Sequence, residues 1–212
     1  MFSAALAVLL VFGMVGTAQA TTIGAAYFVS EASSQNAVIG FVHGAPVATF
    51  STPNGPIDFN SGACATCYLL GDFLLSNPGT IILTGAAGDL LSPIDVGGAN
   101  PHGLMLELTG QVSVINGQTF TVTHDDGLQL LIGGLMVVNT PGPTSPVTTT
   151  VTYTGPTGTF AFDLVYGECC GAPARLQTSL PLTTAAVPEP ATLSLLGLGL
   201  AGWRASRRRR RA

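Results

Sequence analysis

The sequence predicts an all-β domain, a sandwich or a barrel, set between two apolar terminal segments. Three observations carry this reading. Short apolar or alternating runs recur about every ten residues between residues 21 and 187, separated by Asn-Gly, Asp-Gly and Pro-Gly. No stretch keeps a helical period between helix caps. The chain holds 27 Gly and 14 Pro in 212 residues, a composition that breaks helices and builds turns.

The expected strands are Ile23–Val29, Ala37–Val42, Val47–Phe50, Thr80–Thr84, Gly103–Ile115, Thr119–His124, Leu128–Ile132, Leu135–Asn139, Thr148–Tyr153, Thr159–Val165 and Ala174–Leu180. Tyr68–Leu75 reads as strand or short helix. Two hairpins are expected. One turns at Asn116-Gly117, a strong turn dipeptide, and the other at Asp125-Asp126-Gly127. Asn139–Pro146 reads as a loop. Phe162 and Tyr166 read as core or strand-face residues. About 167 residues are enough for one substantial core, and no internal repeat divides them.

Charge narrows the function. Charged residues are 8% of the chain, against about a quarter in an average soluble domain. Lysine is absent, and six of the seven bases, Arg204 and Arg207 to Arg211, lie in the last nine positions. Between residues 21 and 187 ten acids face one base, Arg175, for a formal charge of −9. Such a domain repels phosphates, so nucleic acid is not an expected partner. A divalent cation is compatible with it.

The two ends read as addresses. Residues 2–16 are apolar and lead to Ala18-Gln19-Ala20, an A-x-A cleavage site, so residues 1–20 are an expected signal peptide and signal peptidase an expected partner. At the other end stand Val187, Pro188, Glu189 and Pro190, then an apolar stretch from Thr192 to Trp203, then the arginine run. As a helix that stretch is about 18 Å long, short of a ~30 Å hydrocarbon core. The arginines retain it on the inner side and lengthen its reach by snorkelling.

This three-part ending resembles the PEP-CTERM sorting signal. The resemblance implies that residues 187–212 are recognised through Val187 to Pro190 by an exosortase, in a Gram-negative bacterium that makes exopolysaccharide. It implies an inner-membrane intermediate, followed by the cell surface or the extracellular matrix. The domain between the two addresses is residues 21–186.

The four cysteines form two clusters, Cys64 with Cys67 and Cys169 with Cys170. In an exported protein oxidation is the default. Pairing between the clusters is the favoured expectation, because a bridge between neighbours closes a strained ring. A local Cys64–Cys67 bridge is the alternative. A four-cysteine zinc site is disfavoured, since adjacent cysteines splay poorly around a tetrahedron.

Asp125-Asp126-Gly127 is the expected site. Read plainly it is a turn, with Asp-Gly supplying positive φ. Two adjacent carboxylates nevertheless repel one another, and a Ca²⁺ ion would offset that charge through oxygen ligands. The surrounding segments, Leu106–Gly110, Gly117–Gly134, Phe162–Glu168 and Gly171–Gln177, resemble the protective-antigen-type lectin domain that also occurs in flocculin-like adhesins. The resemblance covers residues 106–180. It implies a lectin-like β-sandwich whose paired aspartates, joined by a cis peptide, hold Ca²⁺ that in turn binds sugar hydroxyls. It also reads Phe162–Glu168 and Gly171–Gln177 as a closing strand pair.

Enzyme chemistry is not legible. His43, His102 and His124 are isolated and read as surface residues, and neither H-x-x-x-H nor G-x-S-x-G occurs. The expectation is therefore a non-enzymatic, exported surface or matrix protein with a Ca²⁺-dependent glycan-binding module, extracellular polysaccharide being its partner. The alternative is a purely structural matrix or biofilm protein that binds neither ligand nor metal.

Overall fold

A computed structural model of the protein describes residues 22–41, 44–52, 56–94 and 102–183. The expected signal peptide, His43, the sorting residues Val187 to Pro190 and the apolar C-terminal stretch lie outside the described residues. No helix among the described residues is long and apolar enough to cross a membrane.

Eleven described strands make two antiparallel sheets. They are β1 (Thr22–Ser30), β2 (Ala48–Thr52), β3 (Ile57–Asn60), β4 (Ile82–Gly85), β5 (His102–Val114), β6 (Thr119–Asp125), β7 (Leu128–Ile132), β8 (Leu135–Thr140), β9 (Val147–Thr152), β10 (Gly158–Glu168) and β11 (Arg175–Thr178). Three short helices join them: α1 (Glu31–Ser34), α2 (Leu70–Leu75) and α3 (Ala87–Leu90). One sheet has the order β4-β2-β1-β5-β10-β7-β8, and the other β3-β11-β6-β9.

Period-two alternation builds the core between these sheets. Leu104, Leu106 and Leu108 of β5 and Phe162, Leu164 and Tyr166 of β10 are buried on the inner face of the large sheet. Phe120 and Val122 of β6, Phe59 of β3 and Leu176 of β11 join them from the small sheet. The Phe50 and Phe59 rings meet edge to face at 5.5 Å, linking β2 of one sheet to β3 of the other.

Several expectations are corrected. Ala37–Val42 is not a described strand. Its apolar residues Ala37, Ile39 and Phe41 instead lie on the outer face of the large sheet, against Tyr27, Met105 and Val165. Cover, not pairing, explains why they are apolar. Strand β3 was not expected, and Tyr68–Leu75 resolves to helix α2 over its last six residues. Neither expected hairpin exists. β5 and β6 lie in different sheets, so Asn116-Gly117 carries the chain across the sandwich. Its corner is fastened by Asn116 Nδ2 donating to the carbonyls of Thr154 (3.0 Å) and Gly155 (2.9 Å). Asp125-Asp126-Gly127 likewise crosses from β6 back to β7 in the large sheet. β10 and β11 also fall in opposite sheets and are not a pair. A tight hairpin does join β7 to β8 through Gly133 and Gly134, at φ 59° and 81°, as a primed turn requires.

The chain leaves the described domain beside its own beginning. Ser113 N donates to Pro181 O (3.1 Å) and Thr183 N to Gln111 O (3.0 Å), so residues 181–183 run along β5. Ile23, near the start of β1, pairs with Thr109 of the same strand. At the opposite end of β5, Leu104 pairs with Glu168.

Candidate functional site

That far end holds the site. β6 ends on His124 and Asp125, and three segments converge there: the turn 125–127, the β8–β9 loop and the β10–β11 loop. Together Asp125, Asp126, residues 143–146 and residues 169–173 line a cleft of about 520 Å³. Asp125 and Asp126 are nearly buried at its base.

The peptide bond between Asp125 and Asp126 is cis, as the lectin resemblance implies. The carboxylate of Asp126 is held by two backbone donors from the two flanking loops. Thr144 N gives to Oδ1 (3.0 Å) and Cys169 N to Oδ2 (2.8 Å). Asp125 is held through its backbone, whose carbonyl accepts from the buried Tyr166 hydroxyl. Burial, then the charge of Asp126 and the hydrogen bond between the two side chains, push the Asp125 carboxyl up to about 6. Arg175, the one base between residues 21 and 187, sends Nη2 to Gln177 Oε1 (3.4 Å) instead.

Beneath the aspartates lies a buried polar layer. The one Tyr166 hydroxyl hydrogen is shared between the Asp125 carbonyl and Glu168 Oε2 (2.5 Å), and Oη accepts from Arg175 N (3.1 Å). Burial and the neighbouring Glu168 carboxylate hold the Tyr166 hydroxyl well above its ordinary pKa, so it stays protonated as a donor. His124 is wholly buried, which corrects the surface reading. Its Nδ1 faces the Asp126 carbonyl, an acceptor, and so carries the proton. Its Nε2 meets Thr140 Oγ1 at 3.2 Å. His102 is exposed and stacks on Phe28. Replacing Tyr166 by Phe leaves the Arg175 amide without its acceptor and the Asp125 carbonyl without its donor. A loss of about 2 kcal/mol is the expected result, read from the urea midpoint at unchanged slope.

Gly127 does not supply a positive φ, contrary to the turn reading. A Cβ there would lie 2.0 Å from Pro141 O, so this position is glycine because the β8–β9 loop runs directly over it. That contact sets the position of the loop that brings Thr144 to Asp126.

The cysteines pair within their clusters. Cys64 bridges Cys67, with Cα atoms 5.1 Å apart in the turn before α2, and Cys169 bridges Cys170. The favoured pairing between clusters is therefore corrected. Cys67 is buried beside the start of α2, with Sγ 3.6 Å from Asp72 O, while Cys169 is drawn to Asp126 through its amide. Only the second bridge belongs to the site. Both of its sulfurs and a carboxylate oxygen of Asp126 lie within 4.8 Å of one another. With the sulfurs bonded to each other, no thiolate is present, and the donor set is oxygen.

Sequence reasoning singled out Asp125 and Asp126, which the structure sets side by side in the cleft, and missed Thr144, Cys169 as an amide donor, and Tyr166 as the support beneath them. The Pro-flanked run Pro143-Thr144-Ser145-Pro146 was the one available signal for the loop.

Comparison with known proteins bears on the C-terminal segment and on the fold of the domain. Residues 186–211 match the PEP-CTERM protein-sorting motif. A search of curated proteins finds no sequence match. Among solved structures, the chain is similar to the PA14 sugar-binding domain from an RTX adhesin, with 22% identity and a TM-score of 0.52. The match covers 77% of this chain and 90% of that one. The PA14 domain of the MpAFP antifreeze protein matches at 22% identity and TM-score 0.47, over 78% of this chain and 82% of that one. A GH31 alpha-xylosidase from Xanthomonas citri matches at 12% identity and TM-score 0.41, over 81% of this chain but 14% of the enzyme. The adhesin match gives this domain a PA14-like fold. The sorting motif implies an exported protein, processed by an exosortase and destined for the surface or the extracellular space.

Proposed function

We propose that the domain is a Ca²⁺-dependent carbohydrate-binding module of this exported protein. One observation carries the reading: two adjacent, nearly buried carboxylates sit at the base of an open cleft, one of them pushed up to about 6 by its burial and by the other. Charge placed this way calls for a counter-cation, and the donors present are hard oxygens, which suit Ca²⁺. Asp125 and Asp126 would hold the ion. Ca²⁺ takes six to eight oxygen ligands, so two carboxylates leave coordination places for ligand hydroxyls. The ion supplies charge and coordination. The chain supplies orientation, through Thr144 N and Cys169 N on Asp126 and Tyr166 on the Asp125 carbonyl.

The PA14 domain it resembles is described as sugar-binding, and a sorting motif that implies export supports extracellular polysaccharide as the ligand. The test is thermal unfolding of the purified protein in EDTA and then in titrated Ca²⁺. A ligand that binds only the folded state at a hundred times its Kd adds about 2.7 kcal/mol. For a domain of this size that is roughly 5–11 °C. A saturable rise of that order is expected, followed by Ca²⁺-dependent binding on a saccharide array. A flat response to Ca²⁺ would leave a structural matrix domain.

A further inference from the structure

The Cys169–Cys170 bridge poses a question of purpose. Disulfides stabilise chiefly by closing loops in the unfolded chain, and a bridge between neighbouring residues closes none. It ties no strand to another. Its position is specific nonetheless. Cys170 takes a positive φ of 71°, a conformation a non-glycine side chain rarely adopts, and is exposed at the cleft, while Cys169 is buried and gives its amide to Asp126. Gln35 Nε2 reaches Cys170 Sγ at 3.5 Å from the helix side. The bridge turns two reactive, weakly polar thiols into one compact apolar surface.

The rest of the cleft makes that surface useful. No aromatic side chain lines it among the described residues; its apolar lining is proline, alanine and the disulfide. A saccharide has a polar rim and an apolar C–H face, so an ion that takes its hydroxyls leaves the C–H face in need of a dry partner. Ca²⁺–oxygen distances are about 2.4 Å. The sulfurs lie within 4.8 Å of an Asp126 carboxylate oxygen. A ring whose hydroxyls reach an ion on Asp126 is thereby brought into contact range of the bridge, and sulfur is polarisable enough to pack well there.

We propose that the Cys169–Cys170 disulfide is the apolar wall of the cleft, against which the C–H face of a saccharide ring packs while its hydroxyls reach Ca²⁺ on Asp125 and Asp126. This rests on the calcium reading above. It names a specificity-determining contact that the paired aspartates do not supply.

The experiment uses the full exported protein and two readouts: the Ca²⁺-induced rise in melting temperature, and binding to immobilised mono- and oligosaccharides at saturating Ca²⁺. Cys169→Ala with Cys170→Ala is expected to weaken saccharide binding at least tenfold at saturating Ca²⁺. In a second variant, Cys64→Ala with Cys67→Ala, only the 169–170 bridge remains to be reduced. Reduction of that protein with a phosphine should weaken saccharide binding equally, and reoxidation should restore it, so a folding defect in the first variant does not decide the matter. Unchanged saccharide binding in both arms overturns the disulfide wall and leaves the calcium reading standing. A wild type that binds saccharide with no calcium response overturns the calcium reading, and loss of that binding on reduction would then uphold the wall by itself. A wild type that answers Ca²⁺ and binds no saccharide overturns the wall together with the carbohydrate reading.

Discussion

Asp126→Ala should lower the stability of the metal-free protein by about 3 kcal/mol, whereas Asp125→Asn should raise it by about 1 kcal/mol at pH 7.5. The neighbouring residues are expected to give opposite signs because their surroundings differ. Asp126 accepts from Thr144 N and Cys169 N, and truncation orphans two donors at once. Relief of its repulsion with Asp125 returns part of that loss. Asp125 is destabilised by the charge it carries, and solvent at the cleft mouth screens the gain from neutralising it. Both substitutions should abolish the calcium response, since each removes a ligand charge.

The sign of the pH dependence follows from the Asp125 carboxyl, raised from its ordinary value of 3.8 to about 6. Between those values the folded state holds a proton that the unfolded state has released. In EDTA, stability is therefore greatest below pH 3.8 as far as this group is concerned, and it falls as pH rises through about 6. Calcium binding runs the other way, because the ion needs the ionised form. The calcium-induced rise in melting temperature should be full at pH 7.5 and should shrink as pH drops below 6. An equal rise at pH 5 and pH 7.5 would count against Asp125 as a ligand.

Gly127→Ala is the second large effect. A methyl group at this position would lie 2.0 Å from the Pro141 carbonyl oxygen and 2.6 Å from its carbon, both backbone atoms. No rotamer relieves such a clash, so the β8–β9 loop must move. The expected loss is about 3 kcal/mol, the upper end for overpacking, together with a weaker calcium response as Thr144 is drawn away from Asp126. Had Gly127 been needed only for a turn, alanine would cost about 1 kcal/mol and leave the calcium response intact. Denaturant unfolding and the calcium titration on one variant separate these outcomes.

The strands were legible wherever alternation ran through one buried face. Leu128–Ile132 was read with its observed bounds, and Gly103–Ile115 within one residue at each end. β3 was missed because four residues, Ile57-Asp58-Phe59-Asn60, give only two alternations. Ala37–Val42 was misread because cover over a sheet is as apolar as a strand. Both turn dipeptides were recognised as turns, but local chemistry fixes only the reversal of the chain. Which sheet receives it depends on partners forty or more residues away, such as Gly158–Glu168 along β5. The alternation Phe120, Val122, His124 already pointed the histidine inward, and its polar side chain obscured that signal. The paired aspartates stood out as charge in a charge-poor sequence. Their amide donors could not, because a backbone N–H looks the same at every residue.

The meeting of the first and last described segments on β5 has a geometric consequence. Residues 181–183 depart at the Gln111 end, while the aspartates sit beyond the Leu104 end. At about 3.4 Å per residue, the two lie roughly 24 Å apart along one rigid strand. The last described residues therefore leave at one pole of the sandwich, and the cleft opens at the other. The strand works as a spacer: a flat surface that met residues 181–183 could not also cover the mouth of the cleft.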